Sequence, residues 1–449
     1  MLAWLILFVL IGLTTWGLVR LWRIAAIGAA YKAKVLCTIV FGTGRTVDPK
    51  TADDVSADSY RLLRLFRVRV DPDVRSVTAS FLGLRQRTAV FREGLGAALT
   101  LSDIEPDAPV KPLRSSSGAS ASGHVWPVGR ASLALDQAVA TAFLEDHPRR
   151  LRRTRAVLVV QHGQLLAERY ASGFDETTRF PGWSMTKSVL GALVGVLVAD
   201  GRLTLDDREL MPAWRTPDPR ADISLEDLLR MRSGLAFRED YADLRSDVIE
   251  MLFNRGDTAG YAAGRPLVAR PGTVWSYSSG TTNILSAIVR QRVGEADYPA
   301  FPRRALFDPL GMASALMEAD RSGTFVASSF MLATARDWAR FGQLHLQDGV
   351  ANGRRLLPEG WVRFCVTPTP QSPDGLYGAH WWLKLKPELG GASPAAGRVP
   401  PDTFLAIGHE GQTLAVVPSR DLLVLRLGLS VYIDAWDQAA FLAAVLDAV

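Results

Sequence analysis

Residues 184–201 read Ser-Met-Thr-Lys-Ser-Val-Leu-Gly-Ala-Leu-Val-Gly-Val-Leu-Val-Ala-Asp-Gly, an apolar run that opens with a serine and a lysine. A helix that is apolar on all sides is typically buried, and Gly201 is a residue type that often ends one. Positions three apart share a helix face, so this spacing predicts that the Ser184 hydroxyl lies beside the Lys187 amine. Lysines are rarely buried without a partner, so Lys187 needs an explanation.

The chemistry of this pair follows from its place at the start of the predicted helix. The helix dipole and the apolar surroundings both disfavour an ammonium ion there, so we predict a lowered pKa for Lys187. A neutral amine can act as the base that a serine hydroxyl needs to become a nucleophile. Ser-x-x-Lys is short enough to occur by chance, but the chain has only seven lysines, and only Lys187 follows a serine by three positions. We therefore interpret Ser184 and Lys187 as catalytic.

Two further segments have the composition of active-site loops. Tyr277 lies in a turn-rich stretch just before a predicted helix at 283–290, where a tyrosine can relay a proton. Residues 408–412 read Gly-His-Glu-Gly-Gln before a predicted strand at 414–418, and their glycines allow backbone amides to approach a developing oxyanion. Taken alone, Tyr277 could equally be a packed tyrosine and His409 a loop histidine. His-Glu-Gly lacks the second histidine of a zinc helix, so we predict no metal site and no cofactor.

Strand patterns at both ends of the region from residue 130 onward predict its fold. One hairpin is predicted at 156–170, around His162-Gly163, and another at 415–427, followed by a closing helix at 435–449. The text between the hairpins is mostly helical, with Gly and Pro breaks. We expect an α+β fold in which an antiparallel sheet, built from two halves that meet, is flanked by helices and carries an inserted, mostly helical lobe.

The first residues predict a membrane helix. Residues 1–19 carry no charged side chain, and Arg20 and Arg23 close the run, which is just long enough to span a hydrocarbon core of about 30 Å. The alternative is a cleaved signal peptide, but the chain lacks a basic segment before the apolar run. We favour a retained transmembrane anchor, which makes the membrane a partner of the chain.

Composition shifts divide the chain into four predicted segments. The anchor is 1–23, an accessory N-terminal region with a β-hairpin around Gly83 is 24–101, a linker rich in Pro, Ser and Gly is 102–128, and the catalytic domain is 129–449. The net charge of only +5 argues against nucleic acid as a partner. The two cysteines are too few for a disulfide framework.

Three motifs in this order resemble the serine β-lactamase and penicillin-binding protein superfamily, and most closely its class C-like hydrolases and esterases. They are Ser184-x-x-Lys187, Tyr277-Ser-Ser279 and His409-x-Gly411. The resemblance covers roughly residues 130–449. It implies an acyl-enzyme on Ser184, Lys187 as its base and Tyr277 as a proton relay to the leaving group.

The same resemblance implies an oxyanion hole made of the Ser184 and Gln412 backbone N–H groups. It places Ser279, His409 and Gly411 against the substrate. Two residues depart from the family pattern, since Ser279 stands where the pattern has Asn and His409 where it has Lys. The second change removes a permanent cation that would hold the carboxylate of a β-lactam or a stem peptide.

Residues 235–241 resemble the 6-aminohexanoate-dimer hydrolase branch of this superfamily, in which a tyrosine helps to hold an amide substrate; Tyr241 is the matching position. We therefore predict a hydrolase of small ester or amide substrates with weak or no penicillinase activity. Two alternatives stay open. One is a D,D-peptidase or β-lactamase, and the other is a non-catalytic binding module on the same fold.

The side of the membrane is less determined by the sequence. Superfamily members of this kind are commonly exported, so we expect an extracytoplasmic, periplasmic catalytic domain. Arg20, Arg23, Lys32 and Lys34 follow the span, however, and the positive-inside rule would place them in the cytoplasm.

Overall fold

The computed structural model describes residues 2–100, 126–387 and 390–449 of the chain. Most of the predicted linker at 102–128 therefore lies outside the described residues. In chain order the helices are α1 (Leu2–Gly42), α2 (Leu133–Thr141), α3 (Met185–Ala199), α4 (Leu225–Leu229), α5 (Asp247–Asn254), α6 (Thr258–Ala263), α7 (Ser279–Val293), α8 (Asp308–Leu310), α9 (Ala335–Leu346), α10 (Trp361–Val366) and α11 (Gln438–Ala448). The strands are β1 (Phe66–Asp71), β2 (Ser76–Phe81), β3 (Leu84–Arg92), β4 (Gly96–Thr100), β5 (Thr154–Gln161), β6 (Gln164–Tyr170), β7 (Arg179–Pro181), β8 (Leu316–Met317), β9 (Met331–Thr334), β10 (Val350–Ala351), β11 (Arg354–Arg355), β12 (Phe404–Gly408), β13 (Gln412–Val417) and β14 (Leu422–Gly428).

A five-stranded antiparallel sheet with the order β12-β13-β14-β5-β6 forms the centre of the catalytic body. Its two halves meet where β14 pairs with β5, with Leu425 opposite Leu158. Alternate residues of β5 belong to two different cores: Leu158 lies in the core shared with α3 and α9, and Val157 lies in the core shared with α2 and α11. Both faces are covered, which explains why β5 reads as a nearly continuous apolar run. The predicted α+β architecture is confirmed.

The segment between β6 and β12 is the predicted helical lobe. It contains α3 to α10 and a small sheet of order β7-β9-β8. Helix α3 is buried over nearly its whole length, as its uniformly apolar composition predicts. It packs against α7 and against the edge strand β12 of the central sheet. This packing brings the start of α3, the start of α7 and the end of β12 to one place.

The N-terminal helix is longer than the predicted anchor. Helix α1 runs unbroken from Leu2 to Gly42, so the boundary predicted at residue 23 falls inside it. Its first half is exposed and strongly apolar, with an 18-residue window of mean hydropathy 1.9, and by length and composition alone it could cross a membrane. From Ala25 onward the helix is largely buried against protein.

The accessory region is a four-stranded antiparallel sheet of order β1-β2-β3-β4 packed on the second half of α1. The predicted hairpin is β2 and β3, and two strands that the sequence reading did not single out extend it on either side. Strand β1 reads Phe-Arg-Val-Arg-Val-Asp, with its arginines exposed. A strand with one solvated face alternates apolar and polar residues, and this alternation in residues 66–71 is the signal that could have predicted β1.

Candidate active site

The turn before α3 holds the predicted nucleophile in a strained and crowded place. Ser184 is the N-cap residue of α3, and Trp183 before it adopts a left-handed φ of +48°. A Cβ on Gly182 would lie 2.2 Å from the Trp338 ring, so only glycine fits there. The Lys187 Nζ lies 2.9 Å from Ser184 Oγ, so the pair that the spacing predicts is formed.

Lys187 is buried among acceptors that carry no charge. Its Nζ donates to Ser184 Oγ, to Ser279 Oγ at 3.0 Å and to the Ser328 carbonyl at 2.9 Å. Burial lowers the pKa of Lys187 to about 8, the charge of Glu239 opposes this shift, and the positive charge of Lys386 adds to it. An amine with this pKa is partly neutral near pH 7.

Tyr277 reaches the same hydroxyl from the loop before α7. The Ser184 hydroxyl lies close enough to its phenol to lower the phenol pKa, and Lys187 Nζ lies 4.9 Å from the centre of its ring. The ring packs on Tyr377 and Trp382, with centroids 5.7 and 5.1 Å away. Burial raises the pKa of Tyr277, and the charge of Glu239 raises it further, so the phenol holds its proton at neutral pH.

Ser279 connects Lys187 to a carboxylate that the sequence analysis did not assign. Its hydroxyl donates to Glu239 Oε1 at 2.5 Å while accepting from Lys187, and its backbone N–H donates to Glu239 Oε2 at 2.8 Å. Glu239 lies within residues 235–241, two residues before Tyr241. Its place in this loop was the sequence signal for a carboxylate near the site. A serine here lets a hydroxyl sit between the amine and the carboxylate.

His409 and Tyr241 form an aromatic wall beside the nucleophile turn. Their rings stack with centroids 4.7 Å apart and an interplanar angle of 18°, and the His409 and Trp183 rings meet at 78° with centroids 5.3 Å apart. Burial lowers the pKa of His409 to about 4, so the imidazole is neutral at pH 7. His409 therefore supplies no cation in the place where the family pattern has a lysine.

The turn from β12 to β13 lies close to the nucleophile turn. A Cβ on Gly408 would lie 2.2 Å from the Gly182 carbonyl oxygen, so the two turns meet through backbone alone. The Gln412 side chain fixes the start of β13, since its Nε2 donates to the Gly428 carbonyl at 2.7 Å and its Oε1 accepts from the Gly428 N–H at 2.9 Å. This arrangement brings Ser184 and Gln412 into neighbouring turns.

Gly411 contacts a buried arginine, whereas its motif implied a contact with the substrate. It adopts a φ of +82°, and a Cβ there would lie 2.5 Å from Arg426 Nη1. The same guanidinium donates to the Gly411 carbonyl at 2.9 Å. The requirement for glycine at this position therefore comes from packing against a buried arginine.

A residue of the N-terminal region also reaches this turn. Tyr60 donates to Glu410 Oε1 at 2.7 Å, and the indole N–H of Trp183 donates to Glu410 Oε2 at 3.1 Å. Glu410 is buried with a φ of +62°, and burial raises its pKa to about 7. The carboxyl thus links the nucleophile turn, the His409 turn and the N-terminal region. Tyr60 and Glu410 are 350 positions apart, and no sequence pattern connects them.

Within the described ranges, no group of three or more His, Cys, Asp or Glu side chains is placed to hold a metal ion. The chemistry available here is that of a serine hydroxyl between a buried amine and a phenol. Such an arrangement defines a serine hydrolase class of site.

Comparisons with known proteins agree with that class. The family model described as beta-lactamase matches residues 138–440, which is well over half of the chain. The 6-aminohexanoate-dimer hydrolase of Paenarthrobacter ureafaciens is 30% identical over 313 residues, which cover 63% of this chain and 75% of that protein. This chain therefore belongs to the beta-lactamase family, and it is an enzyme of the serine hydrolase type.

Solved structures confirm the fold. The hydrolase EstCE1, described as having promiscuous acyltransferase activity, superposes with a TM-score of 0.55 at 15% identity, covering 70% of this chain and 97% of that one. A penicillin-binding protein homologue from Caulobacter crescentus has a TM-score of 0.51 at 16% identity, covering 70% and 99% of the two chains. At these identities the likeness extends to the fold alone.

Proposed function

We propose that the protein is a membrane-anchored serine hydrolase that cleaves small ester or amide substrates through an acyl-enzyme on Ser184. The observation that carries this proposal is the Lys187 amine, buried without a carboxylate at hydrogen-bonding distance and 2.9 Å from the Ser184 hydroxyl. A lowered lysine pKa makes the neutral amine available as a base.

The three acceptors around Lys187 favour this role. A neutral amine has two hydrogen atoms and one lone pair. The neutral Lys187 amine can donate its two hydrogen bonds to the Ser279 hydroxyl and the Ser328 carbonyl. Its lone pair then faces the Ser184 hydroxyl. Ser279 in turn donates its hydroxyl hydrogen bond to Glu239, so a lone pair of its oxygen faces the amine. The neighbours thus orient Lys187 for proton abstraction.

The reaction then follows in two steps. Ser184 Oγ bonds to the acyl carbon while its proton moves to Lys187, and the backbone N–H groups of Ser184 and Gln412 stabilise the oxyanion. Tyr277 gives its proton to the leaving oxygen or nitrogen as the acyl bond breaks, and the Lys187 ammonium returns a proton to the phenolate. Water then attacks the acyl-enzyme with the same groups acting in reverse.

The wall of the site formed by Tyr241 and His409 favours a small substrate with an apolar part. The stacked rings of Tyr241 and His409 offer an apolar face, and neutral His409 provides no cation for a substrate carboxylate. The related 6-aminohexanoate-dimer hydrolase acts on an amide by its name, which supports amides beside esters for this chain. The same neutral histidine argues against a β-lactam or a stem peptide as the substrate.

The exposed apolar half of α1 supports the membrane anchor. We place the catalytic domain on the extracytoplasmic side, because relatives of this kind are commonly exported. Fusions to the C-terminus in a bacterial host test the side. Active alkaline phosphatase with dark green fluorescent protein is the expected pattern, and the reverse pattern would place the domain in the cytoplasm.

The test of the activity is hydrolysis of p-nitrophenyl acetate and butyrate by the full chain in detergent. The full chain is needed because the second half of α1 is buried in the body. We expect turnover that disappears in Ser184→Ala, and benzylpenicillin turnover far below ester turnover. No turnover and no labelling by a fluorophosphonate in a folded protein would favour the binding-module alternative.

A further inference from the structure

Three parts of the chain meet where the exposed half of α1 enters the body. They are the helix at Trp22–Gly28, the 3-10 helix Asp58–Leu65 and the turn between β2 and β3. The Arg85 guanidinium lies 4.3 Å from the centre of the Trp22 ring, which places that turn beside the helix. A Cβ on Gly28 would lie 2.6 Å from the Phe66 ring, so β1 begins directly against the helix.

Further contacts fix this geometry. The Lys32 amine donates to the backbone carbonyls of Leu63 at 2.7 Å and Phe66 at 3.0 Å, which holds the end of the 3-10 helix on α1. Phe66 pairs with Phe81 across β1 and β2, and their rings lie 5.2 Å apart. The 3-10 helix and the β2–β3 turn therefore lie at the same end of the accessory sheet, next to the exit of the apolar helix.

This end of the sheet exposes large apolar side chains that the fold does not use. The four leucines Leu62, Leu65, Leu82 and Leu84 are 67%, 59%, 70% and 57% exposed. They continue the apolar surface of α1, which is exposed as far as Trp22 and Ile24. Grouped exposed leucines of this kind mark an interaction surface.

The charge of this end is uniformly positive along the chain. Residues 59–68 and 79–87, which form this end, contain five arginines and no Asp or Glu. Arg61 and Arg67 are exposed. Leucines that point outward among arginines are the composition of a surface that lies in the headgroup region of an anionic bilayer.

We propose that this end of the accessory sheet rests on the membrane, with the four leucines inserted at the interface and the arginines on anionic phospholipid headgroups. The inference rests on the proposed membrane anchor and extends it from a tether to a docking surface. Its occupant is a bilayer that contains anionic phospholipid, since the surface is continuous with the apolar half of α1 and opposite in charge to such lipids.

Docking of this kind sets the height of the active site above the membrane. Tyr31 lies nine residues after Trp22 on one unbroken helix, which is about 14 Å along its axis. The Tyr31 ring lies 5.2 Å from that of Tyr60, which binds Glu410. Arg23 ties the helix to the body through an ion pair of 3.0 Å with Glu250. The site is thus held rigidly near the interface and suits substrates that concentrate there.

The experiment places an environment-sensitive fluorophore on single cysteines of the full chain in vesicles. Leu62→Cys and Leu82→Cys test the surface. Val74→Cys is the matched control, since Val74 is 60% exposed but lies in the turn at the opposite end of the sheet. Ile11→Cys reports insertion of the anchor. The native Cys37 and Cys365 are both buried, so labelling can be restricted to the new site.

Brominated lipid is expected to quench the labels at 62 and 82 in vesicles of phosphatidylcholine with phosphatidylglycerol, and not the label at 74. Replacement of Arg61 and Arg67 by Gln should remove most of that quenching. Quenching at 11 without quenching at 62 and 82 would overturn the docking surface and leave the anchor intact. No quenching at 11 would refute the anchor itself. A label at 82 shielded from iodide but unaffected by brominated lipid would mean a protein contact, which also overturns the proposal.

Discussion

Two of the three lysines that are buried among the described residues, Lys34 and Lys187, have opposite surroundings. Lys34, on α1, has its Nζ 2.6 Å from Glu318 Oε2 and 2.9 Å from Thr38 Oγ1. Glu318 also accepts from the Ala97 backbone N–H at 2.8 Å, so this cluster joins α1, the accessory sheet and the catalytic body. Lys187 has two hydroxyls and a carbonyl around it, and its nearest carboxylate, Glu239, is reached only through Ser279.

The difference shows how one residue type serves two purposes. Lys34 and Glu318 form a buried ion pair, through which the amine of Lys34 holds three parts of the fold together. Neutral acceptors satisfy the hydrogens of Lys187 without compensating its charge, so burial favours loss of its proton. The two sites should therefore respond in opposite ways when each lysine is removed.

The largest expected effect is on activity at Lys187. Lys187→Met removes the base, so kcat for p-nitrophenyl butyrate should fall by about 10²–10⁴-fold. The midpoint of thermal unfolding should stay constant or rise, because the substitution relieves the cost of burying the amine and no carboxylate in direct contact loses its cation. A parallel loss of activity and of folded protein would contradict the assignment of Lys187 as a base.

The largest expected effect on stability is at Lys34. Lys34→Met leaves the Glu318 carboxylate buried without its cation, which should cost about 3–5 kcal/mol of unfolding free energy. Activity per folded molecule should stay near that of the parent. The double variant with Glu318→Gln should recover most of the loss, and denaturant unfolding of the full chain in detergent measures both. An unchanged stability in the single variant would show that the pair does not join these segments.

The pH profile refines the comparison. Lys187 is active as the neutral amine and its pKa is lowered to about 8, so activity should rise as pH increases through about 8. The unfolded chain binds this proton up to the ordinary pKa of about 10.5, so stability should also rise with pH between about 8 and 10.5.

Two charge variants should move this midpoint in opposite directions. The charge of Glu239 raises the pKa of Lys187, so Glu239→Gln should shift the midpoint to lower pH. The charge of Lys386 lowers it, so Lys386→Met should shift the midpoint to higher pH. Each shift should be less than about one pH unit, and shifts of the same sign would show that another group controls the profile.

The smallest expected effect comes from the N-terminal region. Tyr60→Phe removes one hydrogen bond to Glu410, worth about 1 kcal/mol, so kcat should fall about fivefold if this contact positions the His409 turn. Tyr170→Phe is the control, since its hydroxyl bonds Glu168 on β6, away from the site. Equal kcat values in the two variants would show that Tyr60 has no part in positioning.

The sequence predicted the structural features that depend on residues close together in the chain. The contact between Ser184 and Lys187 follows from three positions on one helix, and the halves of the central sheet follow from two apolar hairpins. Tyr277 was placed correctly before α7, although its contact with Ser184 requires the tertiary fold. These features depend on local backbone geometry, which the spacing of residues in the sequence indicates directly.

Long-range partners could not be predicted in the same way. Glu410 meets Tyr60 across 350 positions, and neither residue belongs to a periodic pattern. The burial of α1 beyond residue 23 could not be predicted from Lys32 and Lys34, which the sequence analysis used only to orient the membrane span. Both amines are satisfied inside the protein, by carbonyls of residues 63 and 66 and by Glu318, which only the folded chain brings near.

Trapping of the acyl-enzyme tests the central claim most directly. The full chain is mixed with p-nitrophenyl butyrate, quenched in acid and analysed by intact mass and peptide mapping. We predict a butyryl adduct on the peptide that contains Ser184 and no adduct in Ser184→Ala. Ester turnover with no adduct on Ser184, or an adduct on another residue that persists in Ser184→Ala, would contradict the account.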